Sequence, residues 1–338
     1  MLTPLLTASL LLAPPAADPP KLPEGVRAYD SFEKVRPGQY LVGSKGGDGW
    51  LGPWVPEPLL ANSPYPSRHP RRADHLLGMA DSLRLPGVVS AGGSVSSVAL
   101  DPHLGAVSRR LAHPVGLPGT TTYIGVLIKP EGRLHAGSLD GCFGLILNWR
   151  PLPTPGNEVN YKQHHWKTRT HEIAVGKPWT DTEQNPKPIS RTREWCLFQL
   201  ESLFKPLRAA GRPLNVGPGP LSLSMGGGHA YLGDQVTTGE APVPGATTLL
   251  VLRVEVSRDG TEAVCSAFVD PDPTRPEPAP EAAVLTRGGL AVNASVSGSV
   301  GGPGFPVCIT LFSSGAVTFD ELRVADTLAG AAGIANAK

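Results

Sequence analysis

Glycine and proline are unusually frequent in this chain, and their number restricts the regular structure that it can form. Among 338 residues there are 40 glycines and 37 prolines. Both residues weaken helix interiors, and proline also removes a backbone hydrogen-bond donor. Short strands joined by turns suit such a composition better than helices do. The composition therefore predicts an all-β protein.

Strand-like segments recur between the glycines and prolines. Residues 94–100 partly alternate between polar and apolar types, and 143–147 form an apolar run that indicates a strand buried on both faces. Residues 251–256 and 263–269 flank an Asp-Gly pair and predict a hairpin. Residues 305–324 read as two strands joined at 314–315 that close a sheet edge. Together these segments predict a two-sheet antiparallel β-sandwich.

Three strings near the ends of the chain carry a family resemblance. They are Tyr-Asp-Ser-Phe-Glu at 29–33, the glycine- and tryptophan-rich string at 46–54, and Phe-Asp-Glu-Leu-Arg-Val at 319–324. This pattern resembles the laminin-G-like, concanavalin A-like jelly-roll domains of exported bacterial proteins. The resemblance implies a concanavalin A-like jelly roll with a non-catalytic, lectin-like role in glycan binding. A fold of this kind hosts many activities, so the function depends on a site.

The expected organisation is one sandwich domain over residues 28–328. Residues 1–17 form a short apolar run that ends in small residues, which predicts a signal peptide, although a buried N-terminal segment is the alternative. Residues 18–27 are a proline-rich approach, about 150–245 a loop-rich insertion, and 329–338 a frayed tail. No later apolar run is long enough to span a membrane, so we expect a secreted or cell-envelope protein.

Charge and cysteine content limit the partners and the chemistry. Thirty basic and 29 acidic residues give a net charge of +1, which provides no long-range attraction to nucleic acid. The four cysteines are too far apart in sequence for a zinc or redox motif. They form one or two disulfides, or they are small apolar core residues. These four are Cys142, Cys196, Cys265 and Cys308.

Sugar recognition requires aromatic faces for stacking and planar polar side chains for hydroxyl groups. Such residues occur together in the polar insertion, and the predicted ligand-binding residues are Asn160, Tyr161, Gln163, Trp166 and Trp179. The tryptophans at 50 and 54 belong to the family string instead, and we interpret them as filling the end of the sandwich. The expected partner is a glycan or a cell-surface polysaccharide.

Hydrolysis of a glycan requires two carboxylates across a cleft, and glucanases of this wider fold carry them as Glu-x-Asp-x-x-Glu on one strand. That string is absent, and Asp320 and Glu321 are adjacent, so their side chains should point to opposite faces. We therefore predict that the chain is not an enzyme. The alternatives are a structural or protein-adhesion sandwich without a sugar site and, less favoured, a divergent glycoside hydrolase.

A structural calcium ion is a further hypothesis. Asp30 lies near the first predicted strand and Asp320 near the last, and these two carboxylates would meet if the ends of the domain pair. Carboxylate oxygens are the ligands that calcium prefers. No other cofactor is predicted.

Overall fold

A computed structural model describes fourteen stretches of the chain. These are residues 22–56, 76–97, 105–113, 115–131, 143–148, 172–177, 195–202, 222–225, 228–237, 240–258, 263–272, 285–287, 308–313 and 316–334. Within these stretches, regular structure is almost entirely strand, with one short helix. That helix is too short to span a membrane, and the described stretches contain no longer one.

Sheet A contains eight antiparallel strands in the spatial order β14-β13-β12-β6-β16-β4-β3, and β1 also pairs with β16. Its strands are β1 (Val26–Asp30), β3 (Leu77–Met79), β4 (Ser94–Ser96), β6 (Thr121–Pro130), β12 (Thr248–Val256), β13 (Ala263–Val269), β14 (Leu285–Arg287) and β16 (Val317–Ala325). The predicted hairpin is confirmed, because β12 and β13 are adjacent antiparallel strands with continuous register.

Sheet B also contains eight antiparallel strands, in the order β10-β11-β9-β8-β7-β15-β5-β2. Its strands are β2 (Trp50–Pro56), β5 (Gly105–Leu111), β7 (Phe143–Asn148), β8 (Glu172–Lys177), β9 (Cys196–Ser202), β10 (Ser222–Met225), β11 (Gly228–Thr237) and β15 (Cys308–Ser313). The predicted all-β fold, a two-sheet antiparallel β-sandwich of the jelly-roll type, is confirmed.

The main core lies between the two sheets, where alternate side chains of both sheets form one buried cluster. Its members on sheet A include Ala28, Val95, Ile124, Leu252 and Val324, and those on sheet B include Val107, Leu145, Val175, Leu197 and Ile309. Each fully buried valine, leucine or isoleucine side chain contributes about 1.5–3 kcal/mol to the stability of the fold. We call the face of each sheet that contacts this core the inner face, and the opposite face the outer face.

A second, smaller core covers part of the outer face of sheet A. The helix α1 (Leu328–Ala332) is capped by Thr327, whose Oγ accepts a hydrogen bond from the backbone N–H of Gly330 at 3.1 Å. Its buried side chains pack in a cluster with Leu83, Tyr123 and Leu127. The expected fraying of 329–338 therefore does not apply to the described part of that range, 329–334, which is packed on sheet A.

The structure differs from the prediction for the C-terminal strands. β15 and β16 are not a hairpin that closes an edge, because β15 lies inside sheet B and β16 inside sheet A. The chain crosses from one sheet to the other at 314–316, and each strand pairs with distant parts of the sequence. Strand propensity is local, whereas the choice of pairing partner is not.

The region expected to be a loop-rich insertion also contains strands. Within about 150–245 the described residues form β8, β9, β10 and β11. Trp50–Pro56 forms β2 in spite of its prolines, because β2 is an edge strand of sheet B. Its pairing with β5 is irregular between Leu51 and Val55, where Pro53 lies.

Candidate functional site

The predicted ligand-binding residues lie outside the described residues, but the strands that carry them are described. Asn160, Tyr161, Gln163 and Trp166 belong to the connection 149–171 between β7 and β8, and Trp179 belongs to the connection 178–194 between β8 and β9. In sheet B, β7 and β8 are the two central strands. The connection 149–171 therefore begins and ends at the centre of a sheet.

The two connections leave β8 at opposite ends. Asn148 pairs with Glu172 at one end, and Gly176 pairs with Cys196 near the other. A six-residue strand separates its ends by about 17 Å. The connections whose sequences contain Trp166 and Trp179 therefore meet β8 at opposite ends.

A polar row crosses the outer face of sheet B beside the connection 149–171. Continuous register aligns Arg110 of β5 with Cys308 of β15, Cys308 with Asn148 of β7, and Asn148 with Glu172 of β8. Neighbouring strands lie about 4.8 Å apart. We call Arg110, Asn148 and Glu172 the polar row, and two of these three residues adjoin the connection directly.

Beside this row, the described residues on the outer face of sheet B are mostly small. The next row contains Ser108 and Thr310, whose hydroxyl groups lie 2.6 Å apart and which are both fully buried. Ile146 and Ala174 continue that row and are also buried. In the following row Gly144 pairs with Gly176.

Arg110 differs from its neighbour Arg109, because successive residues of a strand point to opposite faces. Arg109 points to the inner face and bonds to Asp30 of sheet A. Arg110 is partly exposed on the outer face, and its Nε is buried without a hydrogen-bond partner. Its cross-strand neighbours are Leu51 and Cys308, which carry no charge.

Asp30 and Arg109 form a buried ion pair that links the two sheets. Asp30 Oδ2 accepts hydrogen bonds from Arg109 Nη1 at 2.7 Å and from Trp54 Nε1 at 2.9 Å, and Oδ1 accepts one from the backbone N–H of Phe32 at 3.0 Å. Burial raises the pKa of Asp30, and the Arg109 guanidinium opposes that rise.

The tryptophans of the family string surround this ion pair. The Arg109 guanidinium lies 5.4 Å from the ring centroid of Trp50 and 6.0 Å from that of Trp54. Trp54 is fully buried, and Trp50 Nε1 donates a hydrogen bond to the Tyr29 carbonyl at 3.1 Å. The interpretation that these two tryptophans fill the sandwich is confirmed.

Asp320 and Glu321 both lie on the outer face of sheet A, so the prediction that they point to opposite faces is wrong. A bulge interrupts β16 between Asp320 and Arg323, where Glu321 adopts a left-handed φ of 54°. The extra residue brings both carboxylates to one side. Glu321 pairs with the Arg323 guanidinium and accepts a hydrogen bond from Ala91 N–H at 2.7 Å.

The Asp320 carboxylate accepts hydrogen bonds from three protein donors. Its Oδ2 accepts hydrogen bonds from Ser82 Oγ at 2.6 Å and from the Leu83 N–H at 2.8 Å, and its Oδ1 accepts one from the Glu321 N–H at 2.7 Å. Burial raises the pKa of Asp320 to about 7, and the neighbouring Glu321 carboxylate adds to the rise.

The two residues of the calcium hypothesis do not share a site. Asp30 points to the inner face, towards Trp54 and Arg109, whereas Asp320 points to the outer face of the same sheet. Both carboxylates already accept three hydrogen bonds from protein groups. Across the described stretches, no group of three histidine, cysteine or acidic side chains is placed to hold a metal ion.

The side chains of two of the four cysteines are described, and neither forms a disulfide. These are Cys265 and Cys308, which are both fully buried. Cys265 lies in the main core, and burial raises its pKa to about 12. The apolar-core alternative is therefore confirmed for Cys265. Cys142 lies outside the described residues, as does the side chain of Cys196 in β9.

Comparison with known proteins describes the fold only. No family model matches the sequence, and no curated protein is similar to it. Solved structures with a similar fold include an endo-β-1,4-glucuronan lyase from the fungus Trichoderma reesei, with 9% identity and a TM-score of 0.36, covering 76% of this chain and 88% of the lyase. Peanut lectin is 10% identical with a TM-score of 0.34, covering 79% of this chain and 96% of the lectin. Similarities this low identify no site.

The prediction that the chain is not an enzyme is wrong. The solved structures with this fold include polysaccharide lyases, among them an alginate lyase from Aplysia kurodai with 7% identity and a TM-score of 0.38, covering 75% of this chain and 87% of the lyase. The prediction depended on the absence of a hydrolase motif, and hydrolysis is only one way to cleave a polysaccharide. An enzymatic role is therefore open.

Proposed function

We propose that the chain is a glycan-binding sandwich domain whose site lies at the end of sheet B, over the polar row and the connection 149–171. One observation carries the proposal. The segment that joins the two central strands of sheet B contains Asn160, Tyr161, Gln163 and Trp166, and it begins and ends at Asn148 and Glu172. A rigid sheet thus supports the residue types that sugar recognition requires.

The chemistry of these residues is complementary to a sugar. An indole or phenol ring stacks on the apolar face of a pyranose, while amides and carboxylates exchange hydrogen bonds with hydroxyl groups. Trp166 and Tyr161 supply the rings, and Asn148, Asn160 and Gln163 supply the amides. The connection that contains Trp179 begins at the opposite end of β8, so the proposed site does not include this residue.

Export from the cell, which the family resemblance implies, is part of the same proposal. A laminin-G-like role outside the cell would require export, for which residues 1–17 are the candidate signal peptide. Expression of the full chain with cell fractionation tests this point. We expect the protein in the envelope or the medium without residues 1–17, and an uncleaved cytoplasmic protein would contradict it.

A polysaccharide panel tests the binding function. The full chain and its Trp166→Ala and Trp179→Ala variants would be assayed against neutral and acidic polysaccharides, each with calcium and with chelator. We expect selective binding by the parent, loss of at least about tenfold in affinity for Trp166→Ala, and little change for Trp179→Ala. Trp179→Ala is the matched control, because the same side chain is removed at the other end of β8.

The same incubations would show whether the domain also cleaves what it binds. New chain ends in the polysaccharide, absent with Trp166→Ala, would assign an enzymatic activity to the site. A panel without any binding would contradict the glycan proposal and favour a structural or protein-adhesion domain. The small, buried residues of the other rows on this face are compatible with that alternative.

A further inference from the structure

We propose that the connection 80–93 is a strap whose closure on the outer face of sheet A is coupled to the uptake of one proton by Asp320. This connection joins β3 to β4 and contains no strand or helix. Its Leu83, Leu85 and Val88 pack against the smaller core beside α1, so closure of the strap covers apolar surface. The strap lies on sheet A, so its behaviour does not depend on the proposed glycan site on sheet B.

One side chain of β16 holds the start of the strap. Asp320 Oδ2 accepts hydrogen bonds from the Ser82 hydroxyl group at 2.6 Å and from the Leu83 N–H at 2.8 Å. Both donors belong to the strap, and Asp320 is fully buried. A hydroxyl group donates to a carboxylate and accepts from a protonated acid, so Ser82 can bond to either form. Opening of the strap at this point exposes the Asp320 carboxyl group to water.

The end of the strap is held by other residues of β16. Glu321 Oε1 accepts a hydrogen bond from the Ala91 N–H at 2.7 Å, and Arg323 Nη2 donates one to the Val89 carbonyl at 2.7 Å. The Val89 N–H donates a hydrogen bond to the carbonyl of Gly333, directly after α1, at 3.0 Å. The bulge in β16 brings both carboxylates to this face, so one strand contacts the strap near both ends.

Two carboxylates and one guanidinium of β16 therefore face the strap. The Arg323 guanidinium pairs with Glu321, and within the described stretches no basic side chain forms an ion pair with Asp320. Burial raises the pKa of Asp320 from 3.8 to about 7, and repulsion from the Glu321 carboxylate adds to the rise. The closed strap therefore favours the neutral form of Asp320.

The other charged groups on the neighbouring elements do not neutralise Asp320. Lys129 of β6 and Arg27 of β1 each pair with a different carboxylate, and Arg84 of the strap is exposed. The remaining titratable side chains on or beside these elements carry no positive charge, and they are Tyr29, Glu33, Asp81, Glu131 and Asp326. Opening of the strap between pH 5 and 7 therefore releases a proton, so a rise in pH favours the open state.

Hydrogen–deuterium exchange of the full chain tests this coupling, with the parent and Asp320→Asn compared at pH 5, 6, 7 and 8. Peptides from 80–93 have the same sequence in both proteins, so the ratio of their exchange rates at one pH removes the intrinsic effect of pH. We expect the ratio of parent to variant to rise about tenfold or more from pH 5 to pH 7 and then to level off. At each pH, 80–93 should also exchange faster, after correction for intrinsic rates, than Thr248–Val256 inside sheet A.

Asp326→Asn is the matched control, because it removes an acidic group directly after β16 that pairs with Arg27. The ratio of parent to this variant should not change with pH. A constant ratio for Asp320→Asn, or equal protection of 80–93 and Thr248–Val256, would overturn the proposal. Melting curves show which variants are folded. If Asp320→Asn does not fold, the corrected exchange rate of 80–93 in the parent must itself rise over this range, and a constant rate would overturn the proposal.

Discussion

At the scale of single residues, the contact between Asp30 and Arg109 is the clearest link between the two sheets. Both side chains are 2% exposed, so each charge depends on the other for its compensation. The two tryptophans and the Phe32 N–H complete the surroundings of the pair. Removing one partner leaves the other charge buried and unpaired. This costs more free energy than the intact pair contributes to the stability of the fold.

We predict that Asp30→Ala lowers the free energy of unfolding by about 3–5 kcal/mol, because it leaves the Arg109 guanidinium unpaired in the core. The measurement is urea denaturation followed by circular dichroism. Asp326→Ala is the control, since it removes the partner of Arg27 in an exposed pair, and it should cost about 1 kcal/mol or less. Equal losses in the two variants would contradict this account of the ion pair.

Asp320 provides a prediction on pH. Its pKa rises from 3.8 to about 7 on folding, so the folded protein binds this proton more tightly than the unfolded chain does. The stabilisation from this group is complete below pH 3.8 and is lost as the pH rises through about 7. The free energy of unfolding of the parent, relative to Asp320→Asn, should therefore fall across this range and then level off.

Urea denaturation of both proteins at several pH values between 4 and 8 measures this difference. Glu321 and Arg323 are present in both proteins, so the comparison isolates Asp320 from their direct contributions. A difference that does not change with pH, or a parent that gains relative stability as the pH rises, would show that Asp320 is ionised in the folded protein throughout this range.

At the scale of secondary-structure elements, β7 and β8 approach each other closely at Gly144 and Gly176. A Cβ atom added to Gly176 would lie 2.1 Å from the Phe143 carbonyl oxygen, and one added to Gly144 would lie 2.2 Å from that of Val175. Both contacts are with backbone atoms, which cannot move aside as a flexible side chain can. These two strands carry the candidate site between them.

We predict that Gly176→Ala lowers the free energy of unfolding by about 3 kcal/mol, since the added methyl group forces β7 and β8 apart. Gly245→Ala is the matched control, because Gly245 has a φ of 81° but open space around its Cβ position. There we expect a loss of about 1 kcal/mol from backbone strain alone. Denaturation midpoints measure both variants, and a smaller loss for Gly176→Ala than for Gly245→Ala would contradict the close approach.

The elements that the sequence predicted are those with local signals. β12 and β13 alternate regularly around an Asp-Gly pair, and both were predicted. The sequence did not predict β5. The charged Arg109 occupies a core-facing position through its ion pair, where alternation of apolar and polar residues predicts an apolar side chain. The bulge at Glu321 turns one carboxylate to the face opposite to the expected one. No residue type in β16 predicts that a glutamate there adopts a left-handed backbone conformation.

At the scale of the whole molecule, the sandwich followed from composition and the end motifs, while the arrangement of the site did not. The polar row joins residues 110, 148 and 172 through the register of β5, β15, β7 and β8. Such register depends on long-range pairing that a single sequence does not contain. The aromatic and amide residues of 149–171 stay a prediction, and the structure describes only the two strands that this connection joins.

The central claim is that a glycan binds over β7, β8 and the connection between them. Hydrogen–deuterium exchange of the full chain, with and without each polysaccharide of the panel, tests it most directly. We predict slower exchange in peptides that span 143–177 with at least one polysaccharide, and no change in Thr248–Val256 of sheet A. Protection confined to sheet A, or no protection with any polysaccharide, would contradict the claim.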